Sequence, residues 1–392
     1  MNTTISCYSR RSAMLAMIAV AVLLFPLALL GADNATRIRS VRVSPEGAFC
    51  SLGSYDVSPE SPDGTKIAYM KWTAIPTSAS GGKGEVWTCS RDLKTRTKVV
   101  DVYNVCVHNG AATAWVDNRR IQVSGVWDGK QRGPAIVNIN GTVEFGPYSR
   151  MENLHEPVNG KVLLLGGENR ASLGRGLFVL DPATGKTSKV CDERDFVKYA
   201  DRMPDMKDPA YWVISHATWS KDGSYIALCL QSNKPKAPIG EYLFSFRPDF
   251  TDVVFFGKKP MHFNWYEGHQ SIFGNDRAVQ DGLENNNSIR RWTRDGKWIE
   301  TLAGAATHNT MSPDKQWFAG ESWYNTDPVI TLYRKGSTNA TATLMSHNFR
   351  HVTWGMRAHV NPAFSRDGKR LYYNRATSES LNEVWCSDLS GL

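Results

Sequence analysis

The stretch SRDGKRLYYN, from Ser365 to Asn374, combines a polar turn with an apolar run, and this combination returns along the chain. Close copies begin at Ser61 (SPDGTKIAY), Ser220 (SKDGSYIALC) and Ser312 (SPDKQWFAG). An Asp in such a turn can bond the backbone two residues later, and Gly tolerates a positive φ, so the pattern favours a tight hairpin. Each copy is therefore expected to join two paired strands.

Three weaker copies bring the number of units to seven; they begin at Trp115 (WVDNRRIQVSG), Pro157 (PVNGKVLLLGG) and Phe273 (FGNDRAVQDG). A second apolar run follows each copy, as in VWTCSRD from Val86 and VWCSDLSG from Val384. The copies begin 39 to 63 residues apart, which is the range for propeller blades of four short strands. The sequence thus predicts an all-β fold, a seven-bladed β-propeller. The alternative is an all-β sandwich in which the copies are similar by accident.

The two ends of the chain predict how the ring closes. Only four residues follow the run Val384–Asp388, too few for another strand. Near the other end, the segment Arg37–Ser44 alternates Ile38, Val41 and Val43 with polar residues, as a half-buried strand does. We expect this N-terminal strand to pair beside Val384–Asp388 and to complete the last blade, which would cover an exposed sheet edge.

The first residues lie outside the repeat pattern. Arg10 and Arg11 precede an uncharged run from Ala13 to Leu30, which indicates either a cleaved signal peptide or a retained membrane anchor over residues 1–32. Residues 33–392 would then form the propeller. We expect an exported protein of the periplasm or the extracellular space, with membrane contact only if the anchor is retained.

Charge and cysteine content constrain the partners and the chemistry. The formal net charge is +8, which favours acidic partners such as uronate-containing or sulfated polysaccharide. The chain has no Lys/Arg run and no basic–aromatic groove pattern, so no nucleic-acid partner is predicted. Cys89 and Cys386 occupy matching places in the first and last units and should become neighbours on ring closure. Disulfides are permitted by export but not required, and Cys229 fits a buried apolar position.

A polar insertion occupies residues 191–210, CDERDFVKYADRMPDMKDPA, within the longest interval between turns. One or two helical turns are expected between Glu193 and Asp201. The insertion could be a solvated loop on a face of the ring or a lid over the central channel.

The nine histidines are placed at similar offsets from the turns. Those expected on the innermost strands, which line the channel, are His108, His155, His216, His269, His308 and His359. A single such His is most often a hydrogen-bonded wall residue. Several converging imidazoles instead suit a divalent metal site, for Mn, Ca or Zn, or a general acid–base pair.

Two stretches add groups that suit a sugar acid. Arg357, His359 and Asn361 alternate along one segment and should face the same side, where they could bind an anionic sugar group. The stretch from Met261 to Ser271 contains Trp265 and Tyr266, the aromatic type that stacks on sugar rings.

The SPDG-type units resemble the repeats of TolB-like β-propellers across residues 38–392. HNTMSPD and RAHVNPAFSRDG, each with a His before the turn, resemble more particularly the oligogalacturonate lyases and related propeller polysaccharide lyases. The resemblance implies that His308 and His359 bind a divalent metal, with Asn361 where the family often has a second His. It also implies His269 as the catalytic candidate and Arg357 as the clamp for the uronate carboxylate. His216, at a similar offset on an inner strand, is a further catalytic candidate.

Two functions follow from these patterns. The first is an exported, metal-assisted lyase that cleaves acidic oligo- or polysaccharide by β-elimination, with Trp265 and Tyr266 contacting substrate. The second is a TolB-like binding or scaffold propeller whose channel is merely polar. No G-x-S-x-G motif supports a peptidase. We expect a monomer in either case.

Overall fold

The structure is a computed structural model of the 392-residue chain. It describes residues 38–74, 82–105, 110–148, 155–166, 175–234, 240–275, 287–321, 330–345, 359–378 and 381–392. Within these ranges, none of the helices has the length and apolar character needed to cross a membrane.

Seven antiparallel sheets make up the described part of the chain, and each is one blade. Blade one consists of β2 (Cys50–Ser51), β3 (Lys66–Ala74), β4 (Gly82–Ser90) and β5 (Arg96–Val105). Blade two consists of β6 (Ala114–Trp115), β7 (Arg120–Trp127), β8 (Arg132–Asn138) and β9 (Val143–Phe145). Blade three consists of β10 (Val162–Gly166), β11 (Gly176–Asp181) and β12 (Lys186–Cys191). Before β10, blade three has only a bridge between Val158 and Lys161, so it falls short of the expected four strands within the described ranges.

Blades four to seven each have four strands. Blade four consists of β13 (Trp212–Trp219), β14 (Ile226–Ser232), β15 (Glu241–Phe246) and β16 (Val254–Lys258), and blade five of β17 (Met261–Glu267), β18 (Ser271–Asn275), β19 (Ser288–Thr293) and β20 (Trp298–Ala305). Blade six consists of β21 (Thr307–Met311), β22 (Trp317–Glu321), β23 (Ile330–Arg334) and β24 (Ala342–Met345). Blade seven consists of β25 (Ala363–Phe364), β26 (Arg370–Ser378), β27 (Leu381–Asp388) and the N-terminal strand β1 (Ser40–Arg42). The seven-bladed propeller predicted from the repeats is confirmed.

The hydrophobic core is divided into seven clusters, and each cluster lies between two successive blades. Both faces of a blade are therefore covered by neighbours, which is why the central strands read as nearly continuous apolar runs. The cluster that joins blade seven to blade one contains Tyr372 and Cys386 on one side and Tyr69 and Cys89 on the other. This cluster closes the ring.

Ring closure occurs where the sequence predicted it. β1 pairs antiparallel with β27, with Val41 opposite Cys386 and Arg42 opposite Trp385. Cys89 and Cys386 share a core cluster, as expected, but both are free thiols. Burial raises the pKa of each of these two thiols to about 12, so they act as small apolar side chains.

The predicted turns have the chemistry that their sequence implied. In the four close copies, the Ser hydroxyl donates to the Asp carboxylate two residues later, at 2.5–2.7 Å. Gly64, Gly223 and Gly368 close their turns with φ near 70°, where a side chain would be strained. These turns lie at one end of the channel, called here the turn end.

One turn was placed wrongly. The sequence assigned the turn of blade five to FGND after Phe273, but Phe273 lies within β18. The turn is Glu267–Gln270, closed by the Gln270 N–H donating to the Glu267 carbonyl at 3.0 Å, with Gly268 at φ 46°. This turn does not have the Ser-x-Asp-Gly pattern. Gly268 is its only residue with a positive φ.

The insertion contains the expected helical turns, as 3-10 helices at Glu193–Arg202 and Pro209–Tyr211. Asp192 caps the first helix by accepting from the Arg194 N–H at 2.9 Å. Phe196 is fully buried, with its ring centroid 4.6 Å from that of Phe244 in β15. The helix thus packs on the third strand of blade four, and the lid interpretation finds no support in these contacts.

Candidate metal centre in the central channel

The innermost strands of three successive blades are each interrupted by a β-bulge at the same level. The pairing shifts between Ile214 and His216 in β13, between Met261 and Asn264 in β17, and between Thr307 and Thr310 in β21. Bulges re-aim side chains and are common beside functional sites.

Two of the bulged residues are histidines in the left-handed region. His262 has φ 51° and His308 has φ 42°. Such a backbone costs about 1–3 kcal/mol per residue and persists only where the surroundings impose it. The chain therefore tolerates local strain on two neighbouring blades in order to place these two imidazoles.

Five histidines form an arc across blades three to seven. The ring centroids of His155 and His216 are 6.4 Å apart, those of His262 and His308 are 4.2 Å apart, and those of His308 and His359 are 4.3 Å apart. His216 is also close enough to His262 to affect its titration electrostatically. His216, His308 and His359 thus lie along one arc.

The most compact part of the arc includes a carboxylate. Glu321, at the end of β22, accepts at Oε1 from His308 Nδ1 and lies 3.1 Å from His359 Nδ1. The two Nδ1 atoms are themselves 3.1 Å apart. One donor atom from each of these three buried residues lies within 4.8 Å of the others. This group is called the His–Glu cluster below.

The donor set fits a divalent metal. Ligand atoms about 2.1 Å from an ion stand roughly 3.0–3.4 Å from one another. Two of the three separations in the His–Glu cluster match this, since His359 Nδ1 lies 3.1 Å from both His308 Nδ1 and Glu321 Oε1, whereas His308 and Glu321 are in direct hydrogen-bond contact. Both Nδ1 atoms face each other and the same carboxylate oxygen, so two N–H protons at this point would crowd one another. The second oxygen of Glu321 accepts from the Val360 N–H at 2.8 Å and so fixes the carboxylate orientation.

The ionised state of Glu321 favours cation binding. Burial tends to raise the pKa of Glu321, but the His308 and His359 imidazoles beside it hold that pKa below its usual range. Burial, followed by the neighbouring His308, lowers the pKa of His262 well below its ordinary value. An ionised carboxylate is the form in which Glu binds a metal ion.

His262 has a defined tautomer, because its Nδ1 accepts from the backbone N–H of His308 at 3.3 Å. A backbone N–H can only donate, so the ring proton of neutral His262 resides on Nε2. Thr307 Oγ1 lies 3.1 Å from the same Nδ1. His262 is thereby arranged as a hydrogen-bond donor at Nε2.

A loop segment between β2 and β3 packs against the inner strands beside this cluster. The ring centroid of Tyr55 lies 4.9 Å from that of His262 and 5.0 Å from that of His308. The next residue, Asp56, accepts from Thr310 Oγ1 at 2.8 Å and from Asn264 Nδ2. Tyr55 thus covers the histidine level, and Asp56 lies at the next level towards the turn end.

His269 does not belong to the arc. It lies in the turn between β17 and β18, where its Nδ1 is 2.7 Å from Asp222 Oδ2 and 3.1 Å from Ser224 Oγ. Its ring stacks on Tyr225 at 4.7 Å, and 39% of its side chain is exposed. The prediction that His269 lines the channel on an inner strand is wrong, because the turn of blade five comes earlier than assumed.

Trp265 and Tyr266, predicted to contact substrate, are core residues. Trp265 is fully buried between blades four and five, and its Nε1 donates to the Thr218 carbonyl at 3.2 Å. Tyr266 is 2% exposed and packs between blades five and six beneath Arg291. Successive residues of a strand face opposite sides, and both sides of a blade are covered here, so the Trp265 ring cannot stack on a sugar. Tyr266, in contrast, also lines a cavity at the turn end of the channel.

Asn361 reaches the channel but has a different contact from the one expected. Its Nδ2 donates to the Gly53 carbonyl at 2.7 Å, which ties blade seven to the segment before Tyr55. Its role as a metal ligand remains a prediction. Arg357 and His108 lie outside the described residues.

Two members of the site were missed from the sequence. Glu321 is the one carboxylate in the apolar strand WFAGE, a signal that pointed to a buried partner. His262 precedes the true turn of blade five by five residues, and correct placement of that turn would have aligned it with His308. Nothing in the sequence marked Tyr55 and Asp56.

Comparison with solved structures places the chain in a class. It superposes on oligogalacturonate lyase from Vibrio parahaemolyticus with a TM-score of 0.60 and 11% identity, over 91% of this chain and 95% of that one. Oligogalacturonate lyase in complex with manganese gives a TM-score of 0.61 and 12% identity over 90% and 93%. The Dos1 propeller gives 0.51 and 10% over 90% and 95%.

These similarities show the fold, which is that of the seven-bladed propellers to which the oligogalacturonate lyases belong. TolB from Acinetobacter baumannii also matches, with a TM-score of only 0.39 and 10% identity over 83% of this chain and 80% of that one. No family model matches the sequence. No curated protein matches it either.

Proposed function

We propose that this protein is an exported, metal-assisted lyase that cleaves uronate-containing oligo- or polysaccharide by β-elimination. The observation that carries the proposal is the convergence of His308, His359 and Glu321 inside the channel of a propeller. A similarly folded protein is an oligogalacturonate lyase in complex with manganese.

His308, His359 and Glu321 would hold the divalent ion. Two imidazoles and one carboxylate suit Mn or Zn better than Ca, which prefers six to eight oxygens. When bound, the ion would neutralise the uronate carboxylate and so acidify the proton on the neighbouring carbon. Arg357 and Asn361 remain candidates to orient that carboxylate.

The chain's own residues would perform the proton transfers. In β-elimination a base takes the C5 proton, the C5–H electron pair forms the C4=C5 double bond, and the C4–O4 bond breaks. The released oxygen then takes up a proton. We assign the role of base to His216, on the inner strand of blade four. His262 is assigned the role of hydrogen-bond donor, through its Nε2–H.

The experiment is an absorbance assay for the unsaturated uronate product. A panel of acidic polysaccharides is incubated with the protein, with and without EDTA, and with Mn²⁺ added back. The proposal requires absorbance to rise on at least one substrate, to stop with EDTA and to return with the metal. No product on any uronate-containing substrate, with metal supplied, would refute it.

A second function, a non-catalytic binding propeller, is favoured by one observation. Glu321 accepts from both His308 and the Val360 N–H, so the cluster already links blades six and seven through hydrogen bonds. In that case the histidines stabilise the channel wall. Absence of bound metal in the protein would then accompany absence of lyase activity.

A further inference from the structure

A cavity of about 650 Å³ opens at the turn end of the channel. Its lining includes residues from all seven blades, among them Trp115, Lys221, Thr310 and Arg366. The volume falls within the range for small-molecule sites. The cavity is concave because the blades surround the axis of the ring. None of the His–Glu cluster residues contributes to this lining.

The segment Tyr55–Asp56 separates the two regions. Tyr55 packs on the rings of His262 and His308, whereas Asp56 lines the cavity from the other side. Asp56 is held in place by Thr310 and Asn264, and its N–H donates to the Pro362 carbonyl at 3.3 Å. The cavity is therefore a site of its own with Asp56 in its lining.

The acidic groups of the cavity are already satisfied. Both oxygens of Asp56 accept hydrogen bonds, from Thr310 and Asn264. Glu156 accepts at Oε1 from the Ser58 N–H at 2.8 Å and at Oε2 from Arg366 at 3.1 Å. Neither carboxylate has a need for a cationic ligand.

The basic groups, in contrast, have donors to spare. Lys221 is exposed and makes no ion pair with any residue in the part of the chain that the structure describes. Arg366 uses Nη1 for Glu156 and Nε for the Glu60 carbonyl, out of the five N–H donors of a guanidinium. The lining thus carries three cationic side chains, those of Lys221, Lys315 and Arg366, against the two carboxyl groups of Asp56 and Glu156.

Part of the remaining wall is apolar. Pro62, Pro157 and Pro313 line the cavity, each next to a turn of its blade, and Val116 and Phe364 add apolar surface. Such walls suit a compact organic ligand, since they exclude water around a charged contact and so strengthen it.

We propose that this turn-end cavity is a second ligand site, which binds a small organic carboxylate through Lys221 and Arg366. The site is distinct from the His–Glu cluster and does not depend on the lyase function. A sugar acid is the ligand chemistry that fits best, because its hydroxyls can reach Ser58 and Thr310 while its carboxylate meets the cations.

The test is calorimetric binding of D-galacturonate, with succinate as a second carboxylate and D-galactose as the neutral match of the first. We expect both acids to bind and galactose not to bind. Lys221→Gln should weaken binding about tenfold, the effect of one charge-assisted hydrogen bond. Lys315→Gln is the matched control, since Lys315 lines the same cavity but already pairs with Glu267 at 3.0 Å, and it should change affinity by less than about twofold.

Glu321→Gln distinguishes the two sites. Carboxylate binding that persists in Glu321→Gln supports the turn-end site whether or not the protein is a lyase. Binding that is lost in Glu321→Gln and unchanged in Lys221→Gln would move the ligand to the His–Glu cluster and overturn the inference. The inference also fails if neither acid binds the wild-type protein at low ionic strength, where charge attraction is strongest.

Discussion

The Nδ1 atoms of His308 and His359 lie 3.1 Å apart, although 51 positions separate the two residues in the sequence. They come from blades six and seven, and Glu321 brings a carboxylate oxygen to the same point. A repeat fold makes this possible because equivalent positions of successive blades meet along the channel.

Glu321→Gln should reduce the affinity for Mn²⁺ by at least about tenfold, because a neutral amide replaces a charged ligand in a buried site. The measurement is a metal titration followed by calorimetry. Glu383→Gln is the matched control, since Glu383 is also a buried, hydrogen-bonded carboxylate but lies in β27 beside Arg42 and Thr377. Equal loss of affinity in both variants would contradict the assignment of Glu321.

Exchange of His216 should separate catalysis from metal binding. If His216 is the base, His216→Asn should lower kcat about 10²–10⁴-fold while the metal content stays that of the wild type. His269→Asn serves as the control, because His269 lies in an exposed turn and should leave kcat within about twofold. Steady-state rates on the best uronate substrate decide between them, and a larger loss in His269→Asn would restore the assignment made from sequence.

Trp265→Ala should destabilise the fold by about 3–5 kcal/mol, the usual cost of truncating a large buried aromatic residue. The loss arises from the cavity left between blades four and five and from the unpaired Thr218 carbonyl. Denaturant unfolding measures it. Trp298→Ala is the comparison, since Trp298 is 45% exposed and should cost far less. A stable Trp265→Ala protein with weakened substrate binding would reverse the correction.

His155 should make the fold sensitive to mild acid. Burial, followed by the nearby Lys221, lowers its pKa from 6.5 to about 4. His155 is therefore protonated below about pH 6.5 in the unfolded chain, but only below about pH 4 in the folded chain. Stability from this residue is complete above pH 6.5 and falls as the pH drops, by up to about 3 kcal/mol at pH 4.

The measurement is the unfolding free energy of wild-type protein and His155→Gln between pH 7 and pH 4. The wild-type protein should lose more stability over this interval than the variant. Parallel curves would show that His155 titrates normally in the folded state.

Much of the fold followed from the sequence because the turn chemistry is local. The Ser-x-Asp-Gly pattern fixes a turn through bonds within a few residues, so Ser61, Ser220, Ser312 and Ser365 each marked a hairpin without knowledge of the rest. The turn at Glu267–Gln270 depends on Gly268 alone, and this weaker signal led to the misplacement of His269.

The site was less predictable, because it depends on contacts between blades. Period-two alternation tells which residues share a face, but both faces of a blade are buried, so Trp265 could not be recognised as a core residue. The bulges that re-aim His262 and His308 leave no mark in the alternation. The packing of Tyr55 against both rings joins positions more than 200 residues apart, and local patterns carry no information on it.

The most direct test of the central claim is elemental analysis of purified wild-type protein and His308→Ala after equilibration with Mn²⁺ and removal of free ion. We expect about one bound divalent ion per chain in the wild type and almost none in the variant, with an unchanged β-sheet circular dichroism spectrum. Loss of one of three ligands should weaken binding by orders of magnitude. A wild-type protein that retains no divalent ion, together with a His308→Ala protein that is merely less stable, would contradict a metal site at His308.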